Sequence, residues 1–358
     1  MRFHGLEVSR VVPETANAVR VTLDVPERLA PEFAFKPGQY LTFERDIDGE
    51  RVRRSYSICS IPGEPLEVGI KLQPGGRFST YANRLMKAGD RLDVATPEGR
   101  FVAANGGRSG VSYFCIAAGS GITPVLSIAR SVLKRNPTSR VTLLYGNKTT
   151  ASMMFRHDLL ALKNRYLERF HLIPVFSEEL QDNELFNGRI DNAKGAEFIK
   201  RLLPLDSFDE FYLCGPESMV AEVSRGLRGS GIDMHRIYYE LFSASAADAA
   251  ERVRRHKERA RLYGGDAARV SVRLQAKRYF FDLEYTGENL LDRAAAVGLD
   301  VPYSCKDGVC ATCKARVLEG RVEMDVNHAL SAREVAEGFI LTCQSHPVTE
   351  KVALDFDV

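Results

Sequence analysis

Hydrophobic and polar positions change rhythm twice along this chain. Over the first hundred residues apolar and polar side chains alternate in short runs, at Val19–Leu23, Tyr40–Phe43, Arg54–Ser57, Leu66–Lys71 and Arg91–Ala95. Lys36-Pro37-Gly38, Pro62-Gly63 and Lys87-Ala88-Gly89-Asp90 punctuate them as turns, and the pattern predicts a small antiparallel β-barrel. Past Pro97-Glu98-Gly99-Arg100-Phe101 and Asn105-Gly106-Gly107 the strands become continuously apolar, at Val111–Ala117, Val141–Tyr145, Leu172–Phe176, Glu210–Cys214 and Arg236–Tyr239. Helical segments alternate with them near Pro124–Lys134, Phe155–Arg165, Ala196–Leu203 and Glu217–Leu227. Such alternation predicts a parallel sheet covered on both faces, with ligands at the carboxyl ends of the strands.

The second change comes at Ser243, where the chain turns Ala-rich and then basic up to Gly264-Gly265. A solvated linker helix fits this stretch; a surface for an anionic partner is the alternative. Beyond it, Val270–Leu274 and Tyr279–Leu283 read as a hairpin, Leu290–Ala296 as a short helix and Val352–Phe356 as a closing strand. The chain therefore divides into a barrel (1–104), an α/β domain (105–242), a linker (243–268) and a mixed α+β domain (269–358).

Composition narrows the function classes. The 358 residues are 44% hydrophobic and 27% charged, which is room for two or three globular domains and excludes disordered and fibrous chains. The longest apolar-leaning stretch, Phe114–Ala129, is interrupted by Gly119, Gly121, Thr123 and Pro124 and falls short of the roughly 18 residues that span a bilayer, so no membrane insertion is expected. The first twenty residues hold no signal-like apolar run, which points to the cytoplasm. There the seven Cys are expected as thiols or metal ligands. A net charge of +2 gives nucleic acid no basic footprint. Lys and Arg lead Asp and Glu over residues 1–243, 32 against 29, and trail them over 269–358, 11 against 14.

The strongest chemical signal is Cys305-x4-Cys310-x2-Cys313, with Cys343 following after 29 further residues. Three thiolates on one loop and a distant fourth is the plant-type 2Fe-2S spacing. Ser304, Gly308, Ala311 and Thr312 are small enough for the loop to wrap closely. Structural zinc would call for a second close Cys pair, which is missing.

A second signal is Arg54-Ser55-Tyr56-Ser57, followed by Gly75-Gly76-Arg77-Phe78-Ser79-Thr80 at a predicted helix start. Alone, the first motif reads as an ordinary strand with two faces. Paired with the second, it becomes a flavin site: Arg54 can neutralise a pyrophosphate, Tyr56 can stack on the isoalloxazine, Ser57 can donate near N5, and the N–H groups of Gly76 to Ser79 can cradle phosphate.

A third signal, Ala118-Gly119-Ser120-Gly121-Ile122-Thr123-Pro124, follows the first parallel strand. Its glycines admit a pyrophosphate, with Thr123 expected as N-cap and Pro124 in the first turn. Cys214-Gly215-Pro216 ends a later strand of the same sheet and is expected at the same crevice, although a lone Cys is more often a core thiol. Cys59 and Cys115 are expected in cores. Tyr239-Glu240-Leu241-Phe242 closes the α/β region, where Phe242 by itself reads as a packing residue.

In this order the motifs resemble the ferredoxin–NADP reductase family fused to a C-terminal plant-type ferredoxin. The resemblance implies a β-grasp fold for the last domain. It implies FAD held by Arg54, Ser55, Tyr56, Ser57, Lys71, Gly75, Gly76, Arg77, Phe78 and Ser79 under Phe242, and a nicotinamide nucleotide at Gly119, Ser120, Gly121, Thr123, Pro124, Cys214, Gly215 and Pro216. Cys305, Cys310, Cys313 and Cys343 would ligate the cluster, while Ser57, Cys214 and Glu240 position the reacting rings. Within the family, RRSYSICS from Arg53, GGRFSTYAN from Gly75, YGNKTTASMMF from Tyr145 and TCQSHPVTEKV from Thr342 resemble the reductase components of ring-1,2-phenylacetyl-CoA epoxidases, with a di-iron oxygenase as the implied partner. Relatives serve ketosteroid hydroxylases and fatty-acyl desaturases; a stand-alone NAD(P)H-dependent reductase is a further alternative. NADPH is the implied nucleotide. Yet Glu178 stands in Ser177-Glu178, where NADPH-preferring members often carry arginine, so NADH is also open unless Lys148 or Arg156 supplies the charge.

Overall fold

The computed structural model describes residues 1–104, 108–190, 205–242, 246–263 and 267–358, and the chain forms two compact units, Arg2–Glu240 and Leu241–Val358. The expected helix Ala196–Leu203, the Asn105-Gly106-Gly107 junction and Gly264-Gly265 lie outside the described residues.

The first unit opens with six antiparallel strands, β1 (Phe3–Thr15), β2 (Ala18–Asp24), β3 (Tyr40–Ile47), β4 (Glu50–Ser57), β5 (Leu66–Lys71) and β6 (Arg91–Ala95). Their order is β4-β3-β6-β1-β2-β5. An Ile58–Val68 bridge, with the Cys59 N–H donating to the Glu67 carbonyl at 2.9 Å, joins the two edges and closes the barrel as expected. Alternate residues fill it: Leu6, Val8, Val21, Leu41, Phe43, Val68, Ile70, Leu92 and Val94 are all buried, each contributing about 1.5–3 kcal/mol. The strand β1 has no counterpart among the expected elements. His4, Gly5 and Pro13 weaken its local strand signal, and it forms because it pairs with both β2 and β6.

Five parallel strands follow, β7 (Ser112–Ala118), β8 (Arg140–Asn147), β9 (Phe170–Phe176), β10 (Glu210–Cys214) and β11 (Ile237–Glu240), ordered β11-β10-β7-β8-β9. The helix Ile122–Arg135 is buried along most of its length, and its Ser127 hydroxyl donates to the Ser60 carbonyl of the barrel at 2.6 Å. Arg20 makes a second joint, holding Glu14 at 2.7 Å and Asp158 of the helix Arg156–Arg165. Phe155 sits in the left-handed region at φ 55, lies under the Arg20 guanidinium and packs over Gly69, where a Cβ would come within 2.7 Å of its ring.

The second unit contains β12 (Ala267–Leu274), β13 (Lys277–Glu284), β14 (Lys314–Glu319), β15 (Val322–Met324), β16 (Phe339–Leu341), β17 (Ser345–Pro347) and β18 (Lys351–Asp355). The main sheet runs β13-β12-β18-β14-β16, with β15 and β17 as a separate ribbon. The expected hairpin and the helix Leu290–Ala296 are present. The strand expected to close the chain lies mid-sheet, parallel to β12 and antiparallel to β14, which gives the mixed sheet of a β-grasp.

The helix Ala246–Tyr263 forms, as its composition predicts, but it is not solvated all round. Arg259 is 1% exposed and pairs with the buried Asp325, and Tyr263 packs on Tyr285. A basic run with no apolar stripe gives no warning of this, because the buried contact is ionic.

Candidate functional site

The flavin candidates lie along one barrel edge. Pleating turns Arg53 inward onto Glu44 and the Phe3 ring and turns Arg54 out, its Nη1 donating to the Arg53 carbonyl at 2.6 Å. Tyr56 packs on Phe43 and Phe78, with centroids 5.9 and 5.5 Å apart; Ser55 shares a 3.0 Å bond with Thr42. Gly75, at φ 72, leads into Gly76, the N-cap of the helix Arg77–Arg84. Ser79 braces this turn, accepting from Gln73 N and donating to the Gly76 carbonyl, both at 3.1 Å. Phe78 is in the core, and Arg77 is tied to Glu50 and the Ile47 carbonyl. The turn therefore offers backbone amides, and Arg54 is an exposed cation on β4.

The nucleotide candidates gather at the carboxyl ends of β7 and β10. Cys214 aligns with Ala117 on one side and Glu240 on the other, and a Cβ on Gly121 would meet the Cys214 carbonyl at 2.1 Å, so the two glycine turns touch. The expected N-cap role of Thr123 is corrected. Gly119–Gly121 forms a 3-10 turn running directly into the helix, Gly121 is the cap, and the Thr123 hydroxyl donates back to the Ser120 carbonyl at 2.9 Å. Pro124 occupies the first turn as expected and is buried, and Pro216 caps the helix Glu217–Gly229. A Cβ on Gly215 would strike Met219 at 2.6 Å.

Ser57 donates to Glu240 at 3.4 Å, joining the barrel to the sheet. Burial pushes the Glu240 carboxyl up to about 8, against the pull of the Ser57 bond, so it is mostly protonated at neutral pH. The Cys214 thiol is buried, and burial raises it well above an ordinary thiol; it is an uncharged packing group there. Cys59 and Cys115 are buried thiols, as expected. Lys71, grouped on sequence with FAD, holds its amine 3.1 Å from where a Gly119 Cβ would lie; burial and nearby Lys148 lower its pKa. Lys148 pairs with Glu178 at 2.8 Å.

One residue that sequence reasoning passed over stands out here. Asn147 ends β8 and is 9% exposed, and among the described residues neither of its amide atoms has a hydrogen-bond partner. Its place at a strand's carboxyl end was the available signal.

The four cluster candidates converge two by two. As free thiols, Cys305 hydrogen-bonds with Cys310, and Cys313 with Cys343. The Cys305 thiol is held down to about 6 by its bond from Cys310 and by the backbone amides of Asp307, Val309 and Cys310; Asp307 N lies 3.3 Å from its Sγ. Among the described residues no three His, Cys, Asp or Glu side chains converge on a single metal position. Two thiol pairs with amides aimed at sulfur fit two irons with two thiolates each, and do not fit one tetrahedral ion.

Known families cover these same regions. Residues 6–102 match the oxidoreductase FAD-binding domain, 115–225 the oxidoreductase NAD-binding domain and 277–348 the 2Fe-2S iron-sulfur cluster binding domain. The chain is 40% identical to one of the subunits of the 1,2-phenylacetyl-CoA epoxidase of Escherichia coli (strain K12), covering 99% of this chain and 98% of that protein. It is 31% identical to the ferredoxin reductase component of 3-ketosteroid-9-alpha-monooxygenase of Rhodococcus rhodochrous, over 98% and 96%. Phthalate dioxygenase reductase shares the fold, with a TM-score of 0.63 at 20% identity over 99% of this chain and 98% of that one. No described helix is long and apolar enough to cross a membrane.

Proposed function

We propose, for a chain that belongs to the family of NAD(P)H-dependent, FAD- and 2Fe-2S-containing reductase components of oxygenase systems, that its electron acceptor is a di-iron oxygenase acting on phenylacetyl-CoA. The observation that carries this reading is the 40% identity to a phenylacetyl-CoA epoxidase component, sustained over essentially the full length of both chains. FAD, when bound, accepts hydride from the nicotinamide and releases electrons singly to the cluster, so the chain serves as a converter between two-electron and one-electron chemistry.

The protein's own work is alignment and charge placement. Arg54 and the amides following Gly76 would neutralise and hold the phosphates of FAD, and Tyr56 and Ser57 would contact its ring system. The turns at Gly119–Gly121 and Cys214–Pro216, which touch one another, would hold the nucleotide through their backbone amides. Lys71, lying against Gly119, suits the nucleotide's phosphates better than those of FAD, and Asn147 offers it an unused amide. Glu240, protonated, donates rather than repels at the ring junction. Cys305, Cys310, Cys313 and Cys343 hold the cluster. NADPH is the proposed nucleotide, with Lys71 and Lys148 as its cations; the Glu178 carboxylate beside Lys148 favours NADH as a second reading, since it can accept from a ribose hydroxyl and repels a 2′-phosphate.

Anaerobic stopped-flow mixing with each nucleotide tests the entry of electrons, and turnover of phenylacetyl-CoA with the purified oxygenase tests their exit. Flavin bleaching followed by cluster reduction and product formation is expected. Reduction of both centres without turnover, but with turnover of a ketosteroid hydroxylase or desaturase, would reassign the partner.

A further inference from the structure

The helix Ala246–Tyr263 reaches the cluster loop at three levels within the second unit. Asp248 bonds His328 at 3.0 Å, and the His328 backbone N–H donates to the Gly308 carbonyl at 3.1 Å. Arg252 stands 3.7 Å from Asp307. Arg259 grips Asp325 through both terminal nitrogens.

The deepest of these contacts leads to a cluster ligand. Asp325 also holds His346 at 3.3 Å, and its N–H donates to the Gln344 carbonyl at 2.8 Å. Gln344 is 2% exposed. Its amide nitrogen donates to the Lys306 carbonyl at 2.9 Å and to Cys343 Sγ at 3.6 Å. Gly308, at φ 76, leaves room for the Gln344 side chain, which a Cβ there would approach at 3.0 Å. One chain of contacts thus runs from the helix, through a buried ion pair and the β15–β17 ribbon, to a side-chain donor on the fourth thiol.

Resting on the iron–sulfur reading above, we infer that Gln344 and Arg259 are positioning residues for the fourth cluster ligand: Arg259 fixes the ribbon through Asp325, and Gln344 presents its N–H to Cys343. Reduction adds negative charge that spreads onto the ligand sulfurs, so a donor at sulfur favours the reduced state. A bidentate arginine suits this task because it fixes direction as well as charge. The helix is then part of the electron-transfer unit, and disturbing it changes the cluster's reduction equilibrium.

The test uses the full-length holoprotein carrying Gln344→Met, which keeps volume and removes the donor, or Arg259→Lys, which keeps charge and removes the fork. Cluster assembly is checked by visible and EPR spectra, and reduction is then followed by potentiometric titration. Gln344→Met is expected to disfavour reduction about tenfold, which corresponds to about 59 mV for one electron, and Arg259→Lys to shift it the same way by a smaller factor. Unchanged midpoints and g-values in both, with only the melting temperature lowered, would overturn the inference. Should Arg259→Lys fail to hold a cluster, hydrogen exchange across 246–263 in wild-type protein with and without its cluster decides the helix's part: protection should fall when the cluster is removed, and unchanged protection refutes it. Failure of the underlying reading would look different, as wild-type protein with no 2Fe-2S spectrum to titrate.

Discussion

Glu240 shows how a single residue's chemistry depends on where it is folded. Its carboxyl, ordinary at 4.5, is pushed to about 8 by burial. The folded state therefore binds a proton that the unfolded state releases between those values. The stabilisation linked to this proton is complete below about 4.5 and is lost as pH rises through about 8. Glu240→Gln should flatten the fall in unfolding free energy across that window, as followed by urea denaturation at several pH values, and should remove a rate transition near pH 8 from flavin reduction by NAD(P)H. Gly121 is the second case. Its φ of −60 suits any residue, but the carbonyl of Cys214 stands where a Cβ would go. Gly121→Ala should cost about 1–3 kcal/mol through overpacking and raise the KM for the nucleotide more than it lowers kcat, measured with ferricyanide as acceptor. The glycine turns were legible in the sequence. That one turn abuts the other was not, because Gly121 and Cys214 are 93 positions apart.

Among the elements, the β12–β13 hairpin turns at Gln275 and Ala276, with φ of 54 and 60. Both residues carry a Cβ in the left-handed region, and Asp357 accepts both of their N–H groups, at 2.7 and 2.8 Å. Asn-Gly at these two positions is the sequence such a turn favours. The double change Gln275→Asn, Ala276→Gly should stabilise the second unit by about 1 kcal/mol, read as a higher temperature for loss of cluster absorbance. No change, or a lower temperature, would show that the Asp357 bonds already outweigh the conformational cost. Here alternation revealed the two strands. The direction of the turn residues depended on a carboxylate near the other end of the chain. The strand β18 makes a similar point: its apolar pattern marked a strand, and only pairing with β12 and β14 put it mid-sheet.

At the scale of the whole molecule, electron entry and exit lie in separate units, so they should fail separately. Cys310→Ala removes a proposed cluster ligand and should abolish delivery to the oxygenase while flavin bleaching by NAD(P)H persists. Equal loss of both in stopped-flow and turnover assays would contradict the modular scheme. Lys71→Ala should act at the other end, weakening nucleotide binding about tenfold for one lost charge-assisted bond, with the oxidised cluster spectrum intact.

The sequence by itself determined the order of modules and the cofactors, and singled out the four thiols proposed as cluster ligands, because these depend on spacing within short loops and on periodicity along single strands. Local geometry suffices for a Cys-x4-Cys-x2-Cys loop or a Gly-Ser-Gly turn. Only the tertiary structure decided that Ser57 meets Glu240, that Lys71 lies against Gly119, that Asn147 is buried with no hydrogen-bond partner among the described residues and that Arg259 of an apparent linker is locked onto Asp325. Each of these joins or isolates polar groups across long stretches of chain, where sequence periodicity carries no signal. Their energetics depend on burial, which makes an unpaired amide costly and an ion pair directional, and burial exists only once the chain has folded.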